Sequence, residues 1–371
     1  SDEETNLIHK LQSHVSETIA KSRQPKSLMI LCLAAYRPLH QYDWCHKLRA
    51  LDQFEEVKRS LIEEPLLEKI IAKDIPVLDE ISDDVSLKVR EQYEESPYPR
   101  WRFTKDTFKF EFLKILNSVI KPNVIDNSHK LENPDVLIAG SGTGRDPISA
   151  NIYKNANILG IDLSLSSLAY AKRKTQELNY NNISYLHADI LDLKKLNKKF
   201  DIIEAVGVLH HMADPLKGWA NLTHCLKKDA LMLIGLYSEK ARENIANVRE
   251  TINSLKIKTT KKNIINFRKE IFASNSIEKN SIKNSPDFYS TSGIVDLLFH
   301  VQEHNFTIPM IREYMKTLNL FFLGFEDANI INKFKKIYNK PKDIYDLDKW
   351  HKFEIKNPKV FSGMYQFWCQ K

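Results

Sequence analysis

The stretch Asp135–Gly144, which reads DVLIAGSGTG, decides the fold of this chain. An apolar run is followed within five positions by three of the chain's ten glycines, Gly140, Gly142 and Gly144. A buried strand that ends in such a turn and opens a helix lets backbone N–H groups approach a ligand closely. The spacing is G-x-G-x-G rather than the G-x-G-x-x-G of the dinucleotide fingerprint. It therefore points to S-adenosylmethionine rather than NAD.

Strand-like and helix-like segments alternate around this stretch. Strands are predicted at 136–139, 157–161, 183–187, 200–205 and 230–237, and helices at 147–153, 166–178 and 215–226. Near-continuous apolar strands that alternate with helices are typical of a parallel, doubly wound α/β sheet. Two later runs, Leu318–Phe325 and Met364–Cys369, complete a seven-stranded, Rossmann-like sheet whose last strand is antiparallel.

The same reading predicts four regions along the chain. Residues 1–90 form a helical N-terminal region, because apolar residues recur at helical spacing between prolines. The nucleoside-binding core covers 91–238 and opens on an aromatic linker, Gln92–Trp101, with a short helix near Phe108–Ile120. Residues 239–316 form a helical insertion that shapes a substrate cavity, and 317–371 supply the last two strands with intervening helices.

Composition is that of an ordinary globular protein, with 42% hydrophobic and 28% charged residues in 371. The apolar stretch Leu28–Tyr36 is too short to span a bilayer. Four well-separated cysteines without a C-x-x-C pair fit neither a disulfide framework nor a zinc site, so we expect a cytoplasmic protein without metal. The net charge is +7, and we interpret the basic runs as solvated faces of helices and loops. Because the chain begins at Ser1, we expect it to be a piece of a longer protein. The sequence is also compatible with a homodimer.

Polar residues follow the ends of successive predicted strands, where ligands bind in such sheets. Asp162 could accept hydrogen bonds from both ribose hydroxyls, and Asp189 could accept from the adenine amino group. A carboxylate at a loop start can also be a simple cap. The predicted cofactor-binding set from these strand ends is Gly140, Ser141, Gly142, Thr143, Gly144, Arg145, Asp162, Leu163, Asp189, Ile190 and Val206.

This register resembles the class I S-adenosylmethionine-dependent methyltransferases, over about residues 91–238 and 317–371. The family usually carries an acidic residue two places before the first glycine, where this chain has Ile138. The cofactor's amino group would then be held by backbone carbonyls, or by Glu94 or Glu95. The Asn-Pro-Pro-Tyr loop of amide and exocyclic-amine methyltransferases is absent after Ala205, which disfavours a nucleobase or glutamine substrate.

Further segments resemble the methyltransferase part of bacterial proteins that often carry tetratricopeptide repeats. The segments are 93–101, 287–293, 296–304 and 363–368. The rickettsial protein-lysine methyltransferases that modify an outer-membrane surface protein belong to that group. The resemblance implies N-methyl transfer to protein lysines, with S-adenosylhomocysteine as the product. The alternatives are methylation of a small molecule or RNA, and a cofactor-binding scaffold without turnover.

Two segments supply candidate residues for that chemistry. Tyr93, Tyr98, Arg100 and Trp101 could form a lid in which Arg100 pairs with the cofactor carboxylate. From the insertion, a second set could line the substrate channel: Tyr289, Asp296, His300 and His304. One imidazole of His210-His211 could take a proton. Packing roles are the competing interpretation for each. The predicted catalytic set is Tyr98, Trp101, His210, Tyr289 and His300.

The run His300–His304 also matches H-x-x-E-H, an inverted zinc-peptidase motif with two histidines on one helix face. Such a site needs a third ligand from another helix, and the remaining chain offers no convincing partner motif. We therefore expect no metal here.

Overall fold

The computed structural model describes residues 2–49, 51–52, 54–95, 97–99, 101, 109 and 132–371. The chain divides into two compact units, Ser1–Asp74 and Ile75–Lys371. The helix predicted near Phe108–Ile120 and the candidate residue Arg100 lie outside the described residues, apart from Lys109.

The first unit is helical, as its apolar spacing predicts. Its α-helices are α1 (Asp2–Ala20), α2 (Ser27–Ala34), α3 (Glu55–Lys58) and α4 (Glu64–Ile71). A π-helical turn, Arg59–Glu63, joins α3 to α4 and ends two residues before Pro65. Because proline has no N–H for the helical ladder, a local change of helical register at this point lets the chain continue in the same direction.

The second unit is built on one seven-stranded sheet in the order β3-β2-β1-β4-β5-β7-β6. Its strands are β1 (Asp135–Ala139), β2 (Asn157–Asp162), β3 (Ile183–His187), β4 (Phe200–Val206), β5 (Leu226–Leu236), β6 (Phe321–Phe325) and β7 (Tyr365–Gln370). The first five pair in parallel, whereas β7 runs antiparallel to both β5 and β6. The predicted Rossmann-like sheet with an antiparallel last strand is therefore confirmed.

Helices flank this sheet. They are α5 (Asp84–Glu95), α6 (Arg145–Ala150), α7 (Leu165–Glu177), α8 (Pro215–Cys225), α13 (Ile308–Thr317), α14 (Ala328–Lys335) and α15 (Leu347–Lys356). Apolar side chains from the two faces of the central strands enter separate cores: Leu137 and Ile203 in one, Val136 and Ile202 in the other. Burial on both faces explains why these strands read as unbroken apolar runs.

The helical insertion is also present. It comprises α9 (Glu243–Ser254), α10 (Lys261–Ala273), α11 (Ile277–Lys283) and α12 (Thr291–Leu298). It has its own apolar cluster, which includes the fully buried Ile271, Phe288 and Ile294. In the described part of the chain, we find no helix that combines the length and apolarity needed to cross a bilayer.

The predicted aromatic linker is partly helical. Helix α5 continues to Glu95, so Gln92, Tyr93 and Glu94 lie in its last turns rather than in a linker. The helix ends at Glu95, two residues before Pro97. This continuation gives Tyr93 a fixed helical position.

Candidate active site

A cavity of about 370 Å³ opens at the carboxyl ends of β1, β2, β3 and β4. It is the position at which ligands bind in open α/β sheets. Its lining includes two tyrosines of the predicted lid and most of the predicted cofactor-binding residues at the strand ends. They are Tyr93, Tyr98, Gly140, Ser141, Gly142, Thr143, Arg145, Asp162, Leu163, Asp189, Ile190 and Val206.

The glycine turn after β1 requires the absence of side chains. Gly140 and Gly144 have φ angles of +71° and +88°, in the left-handed region that disfavours other residues. A Cβ on Gly140 would lie 2.7 Å from Val208, and one on Gly144 would lie 2.6 Å from the Cβ of Ala171 in α7. Gly140 therefore lets Val208 pack against the turn, and Gly144 lets α7 pack closely.

Asp162, at the end of β2, is held by the turn that it faces. One carboxylate oxygen accepts from the N–H of Gly142 at 2.8 Å, and the other accepts from Ser164 at 2.9 Å. Burial raises the pKa of Asp162, whereas these two hydrogen bonds act in the opposite direction. A carboxylate has about four acceptor positions, so this one can still accept from a vicinal diol.

Asp189, at the end of β3, combines two roles. Its side chain is buried and caps the 3₁₀ turn Ile190–Leu196 by accepting from Leu191 N–H at 2.9 Å. Burial raises the pKa of this carboxyl group. The capping interpretation is thus realised, and Asp189 also lines the cavity where an exocyclic amine could donate to it.

The hydroxyl group of Ser141 indicates whether this cavity suits a polar ligand. Its Oγ is buried in the cavity wall and has no hydrogen-bond partner among the described residues. Buried hydroxyls are normally paired, so this one fits a bound polar group. With Asp162 and the open backbone of the glycine turn, the donor and acceptor set fits the sugar and amino-acid portions of S-adenosylmethionine.

Two tyrosines connect α5 and the segment after it to the insertion. Tyr93 donates to Asp296 Oδ1 at 2.6 Å, and Tyr98 donates to Asp287 Oδ1 at 2.5 Å. Burial, followed by the aspartate partner, raises the pKa of each phenol, so both hydroxyls remain protonated donors. Asp296 also lines the cavity, and burial raises its pKa to about 6.

Histidines lie beside Asp296. The ring of His211, after β4, stacks on His300 with centroids 3.6 Å apart, and its Nδ1 lies 2.7 Å from the carbonyl of Gln302. Burial lowers the pKa of His211 to about 3 and that of His300 to about 2, so both rings are neutral at pH 7. Only His211 of the pair lines the cavity.

Tyr237, after β5, contributes to the same wall. His210 stacks on its ring with centroids 4.0 Å apart, and the Arg242 guanidinium lies 3.5 Å from the ring centroid. Arg242 in turn pairs with Glu303 through bonds of 3.0 and 3.1 Å. The tyrosine is therefore fixed in place, and burial raises the pKa of its phenol to about 12.

The H-x-x-E-H run does not have the predicted helical geometry. Helix α12 ends at Leu298, so His300–His304 follows it as irregular chain. Glu303, with a side chain only 1% exposed, pairs with Arg242 and Arg249, and His304 lies 3.0 Å from the carbonyl of Met212. The motif therefore forms a buried ion-pair network, and the zinc-peptidase arrangement is absent from it.

A different group of potential metal ligands occurs in this region. Nitrogen and oxygen atoms of His211, Asp296 and His300 lie within 4.8 Å of one another. However, the N–H of Gln302 donates to Nδ1 of His300 at 3.2 Å. In the neutral ring Nε2 then carries the hydrogen, so His300 offers no lone pair to an ion. Of the three side chains, only His211 and Asp296 then keep a lone pair that could face an ion.

Residues 131–286 match a family model described as a methyltransferase domain. The strand order and the glycine turn agree with that match. Residues 131–286 therefore carry a methyltransferase domain, whose strands belong to a seven-stranded, Rossmann-like sheet. S-adenosylmethionine is its cofactor, as the turn spacing predicts.

Relatives of this methyltransferase domain match only part of the chain. An uncharacterized Synechococcus protein is 28% identical over 243 residues, covering 61% of this chain and 57% of that protein. An uncharacterized Rickettsia prowazekii protein is 29% identical over 119 residues, covering 32% and 20%. The solved structure of PKMT2 from Rickettsia typhi shares the fold, with a TM-score of 0.51 and 19% identity over 72% of this chain and 54% of that one. The chain thus spans between a fifth and three fifths of these relatives.

Several predicted residues lie outside the lining of the methyltransferase cavity. Trp101 donates to the carbonyl of Thr143 at 3.1 Å, so it braces the glycine turn from behind. Tyr289 is 60% exposed and donates to the carbonyl of Lys283, which keeps its hydroxyl away from the cavity. His210 and His300 are buried behind Tyr237 and His211, and Gly144 packs against α7.

The sequence pattern does not identify some residues of the cavity lining. Tyr237, Asp146, Met212 and Ser86 line the cavity, and nothing in their spacing distinguishes them from packing residues. Glu94, suggested for the cofactor's amino group, instead accepts from the N–H groups of Leu165 and Ser166 at 2.5 and 3.2 Å. A carboxylate at this point neutralises the partial positive charge of the α7 N-terminus.

Proposed function

We propose that this domain transfers the methyl group of S-adenosylmethionine to the ε-amino group of a protein lysine. The observation that carries the proposal is the part of the cavity wall formed by the helical insertion and the loop after β4. There the carboxylate of Asp296 and the neutral imidazole of His211 line the same cavity as Asp162. A carboxylate and a neutral acceptor favour a cationic amine over a carboxylate or phosphate substrate.

The reaction is an in-line displacement, so positioning supplies most of the rate enhancement. Bound S-adenosylmethionine presents an electrophilic methyl group on a sulfonium. The attacking amine must be neutral, and deprotonating a lysine of pKa 10.4 at pH 7 costs about 4 to 5 kcal/mol. A desolvated pocket and a neighbouring cation both lower that pKa. The aromatic, buried wall around Tyr93 and Tyr237 supports such an effect.

The substrate class rests on resemblance. Four segments resemble the rickettsial protein-lysine methyltransferases, and the fold agrees with that of PKMT2. We therefore propose surface lysines of a bacterial outer-membrane protein as the target. The four cysteines are all free, which supports a reducing cytoplasm as the site of the reaction. A homodimer remains part of this proposal.

The test is incubation with methyl-labelled S-adenosylmethionine and three substrate classes: outer-membrane protein fragments, small amines and tRNA. Mass spectrometry of the digested protein should find added methyl groups on lysines, and fragments with lysine replaced by arginine should stay unlabelled. Label in tRNA or a metabolite instead would establish the alternative substrate. Cofactor binding without product in any class would indicate a scaffold. The variant Asp162→Asn serves as the cofactor-deficient control.

A further inference from the structure

We infer that Asp296 is the general base of this methyltransferase: it accepts a proton from the target ammonium before the methyl group is transferred. The inference rests on the proposed lysine substrate and adds a residue role to it. It is carried by where Asp296 lies, by what its two oxygens contact, and by the groups that surround it.

Asp296 lies in helix α12 and reaches the cavity that also contains Asp162 and the glycine turn. Its Oδ1 accepts from Tyr93 at 2.6 Å. Its Oδ2 makes no hydrogen bond to any residue in the part of the chain that the structure describes. One oxygen is thus fixed by a donor, and the other is available to a substrate N–H.

The charged and titratable groups around Asp296 come from every element packed against it. These neighbouring groups are Tyr93, Tyr98, His211, Tyr237, Arg242, Arg249, Asp287, His300 and Glu303. Arg242 and Arg249 favour the carboxylate, whereas Asp287, Glu303 and burial favour the protonated acid. The balance raises the pKa of Asp296 to about 6, near the optimum for a base that works at neutral pH.

The neighbouring imidazoles are weaker candidates for the same role. His211 already directs Nδ1 at the carbonyl of Gln302, and burial lowers its pKa to about 3. A group so weakly basic does not hold a proton taken from an amine. His300 lies behind it with its Nδ1 accepting from Gln302 N–H. These rings lie within 4.8 Å of the Asp296 carboxyl group and do not compete with it for the proton.

The step balances in atoms and charge. The target R–NH₃⁺ gives one proton to Asp296, which becomes the neutral acid, and leaves R–NH₂. The nitrogen lone pair then forms the N–C bond while the C–S bond breaks, and its electron pair remains on sulfur. The product is R–NH₂⁺–CH₃ with a neutral thioether. Asp296 then releases its proton to solvent.

The experiment compares wild type, Asp296→Asn, Tyr93→Phe and the exposed surface variant Asp348→Asn, using a lysine peptide from the modified fragment. We expect kcat/KM of wild type to fall as pH drops through about 6, and Asp296→Asn to lose roughly 100-fold at pH 7. Asp348→Asn should match wild type. Because the Tyr93 hydrogen bond lowers the pKa of Asp296, Tyr93→Phe should move the acidic limb to higher pH.

A second substrate separates catalysis from structure. An alkoxyamine in place of the lysine side chain is neutral at pH 7 and needs no base, so Asp296→Asn should methylate it within about 10-fold of wild type. Equal losses on both substrates, or an unchanged pH profile in Asp296→Asn, would overturn the inference. Calorimetry with S-adenosylhomocysteine should show normal binding to this variant. If wild type methylates no lysine at all, the proposed function fails, which is a different result.

Discussion

The hydroxyl of Tyr98 lies 2.5 Å from Oδ1 of Asp287, across 189 residues of sequence. This bond joins the segment after α5 to the helical insertion, and Tyr98 lines the cofactor cavity. The backbone carbonyl oxygen of Tyr98 also lies close to Gly142, at 3.3 Å from the position that a Cβ atom on this glycine would occupy. The contact therefore helps to set the distance between the glycine turn and the insertion.

We expect Tyr98→Phe to weaken S-adenosylhomocysteine binding about 10-fold, because a hydrogen bond to a charged acceptor contributes about 1.5 to 3 kcal/mol. Asp287→Asn should have a similar effect, and the double variant should cost little more than either single one. Calorimetry provides the affinities. Tyr289→Phe is the matched control for cofactor affinity, because its exposed hydroxyl donates to Lys283 outside the cavity lining. Full additivity of the two losses would argue against a coupled contact.

Asp162→Asn should reduce cofactor affinity by at least about 100-fold. The amide keeps the shape of the side chain, but its NH₂ would face the Gly142 N–H that now donates to the carboxylate. It would also lose acceptor capacity for the ribose hydroxyls. Asp229→Asn is a suitable control, since it is exposed, lies in β5 and has a left-handed φ of 58° that asparagine tolerates. Normal affinity in Asp162→Asn would contradict the ribose assignment.

The parts of the site that sequence predicts are those fixed by short-range spacing. The glycine turn and Asp162 follow buried strands directly, and parallel strands bring their carboxyl ends to one edge. The wall formed by Tyr93 and Asp296 depends on a contact across 203 residues, which no local pattern encodes. The position of Tyr237 is equally unpredictable from the sequence, because it depends on the contacts of its ring with Arg242 and His210.

The H-x-x-E-H motif is a case in which the sequence spacing suggests a geometry that the structure does not have. Its spacing places two histidines on one face only if the segment is helical, and α12 has already ended at Leu298. Glu303 is then available for a pair of arginines rather than for catalysis. Motif spacing predicts geometry only where the backbone conformation is also known.

Glu303→Gln should destabilise the second unit by about 3 kcal/mol or more. Glu303 is buried against Arg242 and Arg249, and removing one partner of a buried ion pair leaves the remaining charge without compensation. Chemical denaturation followed by tryptophan fluorescence would measure the loss. Glu313→Gln, which disrupts an exposed pair with Arg312, should cost less than about 1 kcal/mol. Similar losses in both variants would refute the special role of the buried network.

The buried carboxyl group of Glu204 should make the stability of the protein depend on pH. It lies in β4, buried, with Tyr153 donating to its Oε1 at 2.6 Å, and burial raises its pKa to about 8. The folded state therefore keeps this proton between about pH 4.5 and 8, whereas the unfolded state has released it. Since stability falls with pH wherever the folded state binds more protons, Glu204 makes the protein less stable as pH rises through this window.

Glu204→Gln cannot ionise and still offers Tyr153 an acceptor oxygen, so its stability should depend less on pH. We expect its thermal midpoint to change less than that of wild type between pH 5 and pH 8.5, with the variant relatively more stable at the alkaline end. The exposed Glu91→Gln should keep the wild-type slope. Parallel pH profiles for wild type and Glu204→Gln would mean that Glu204 is ionised in the folded protein at neutral pH, and that Tyr153 stabilises the carboxylate.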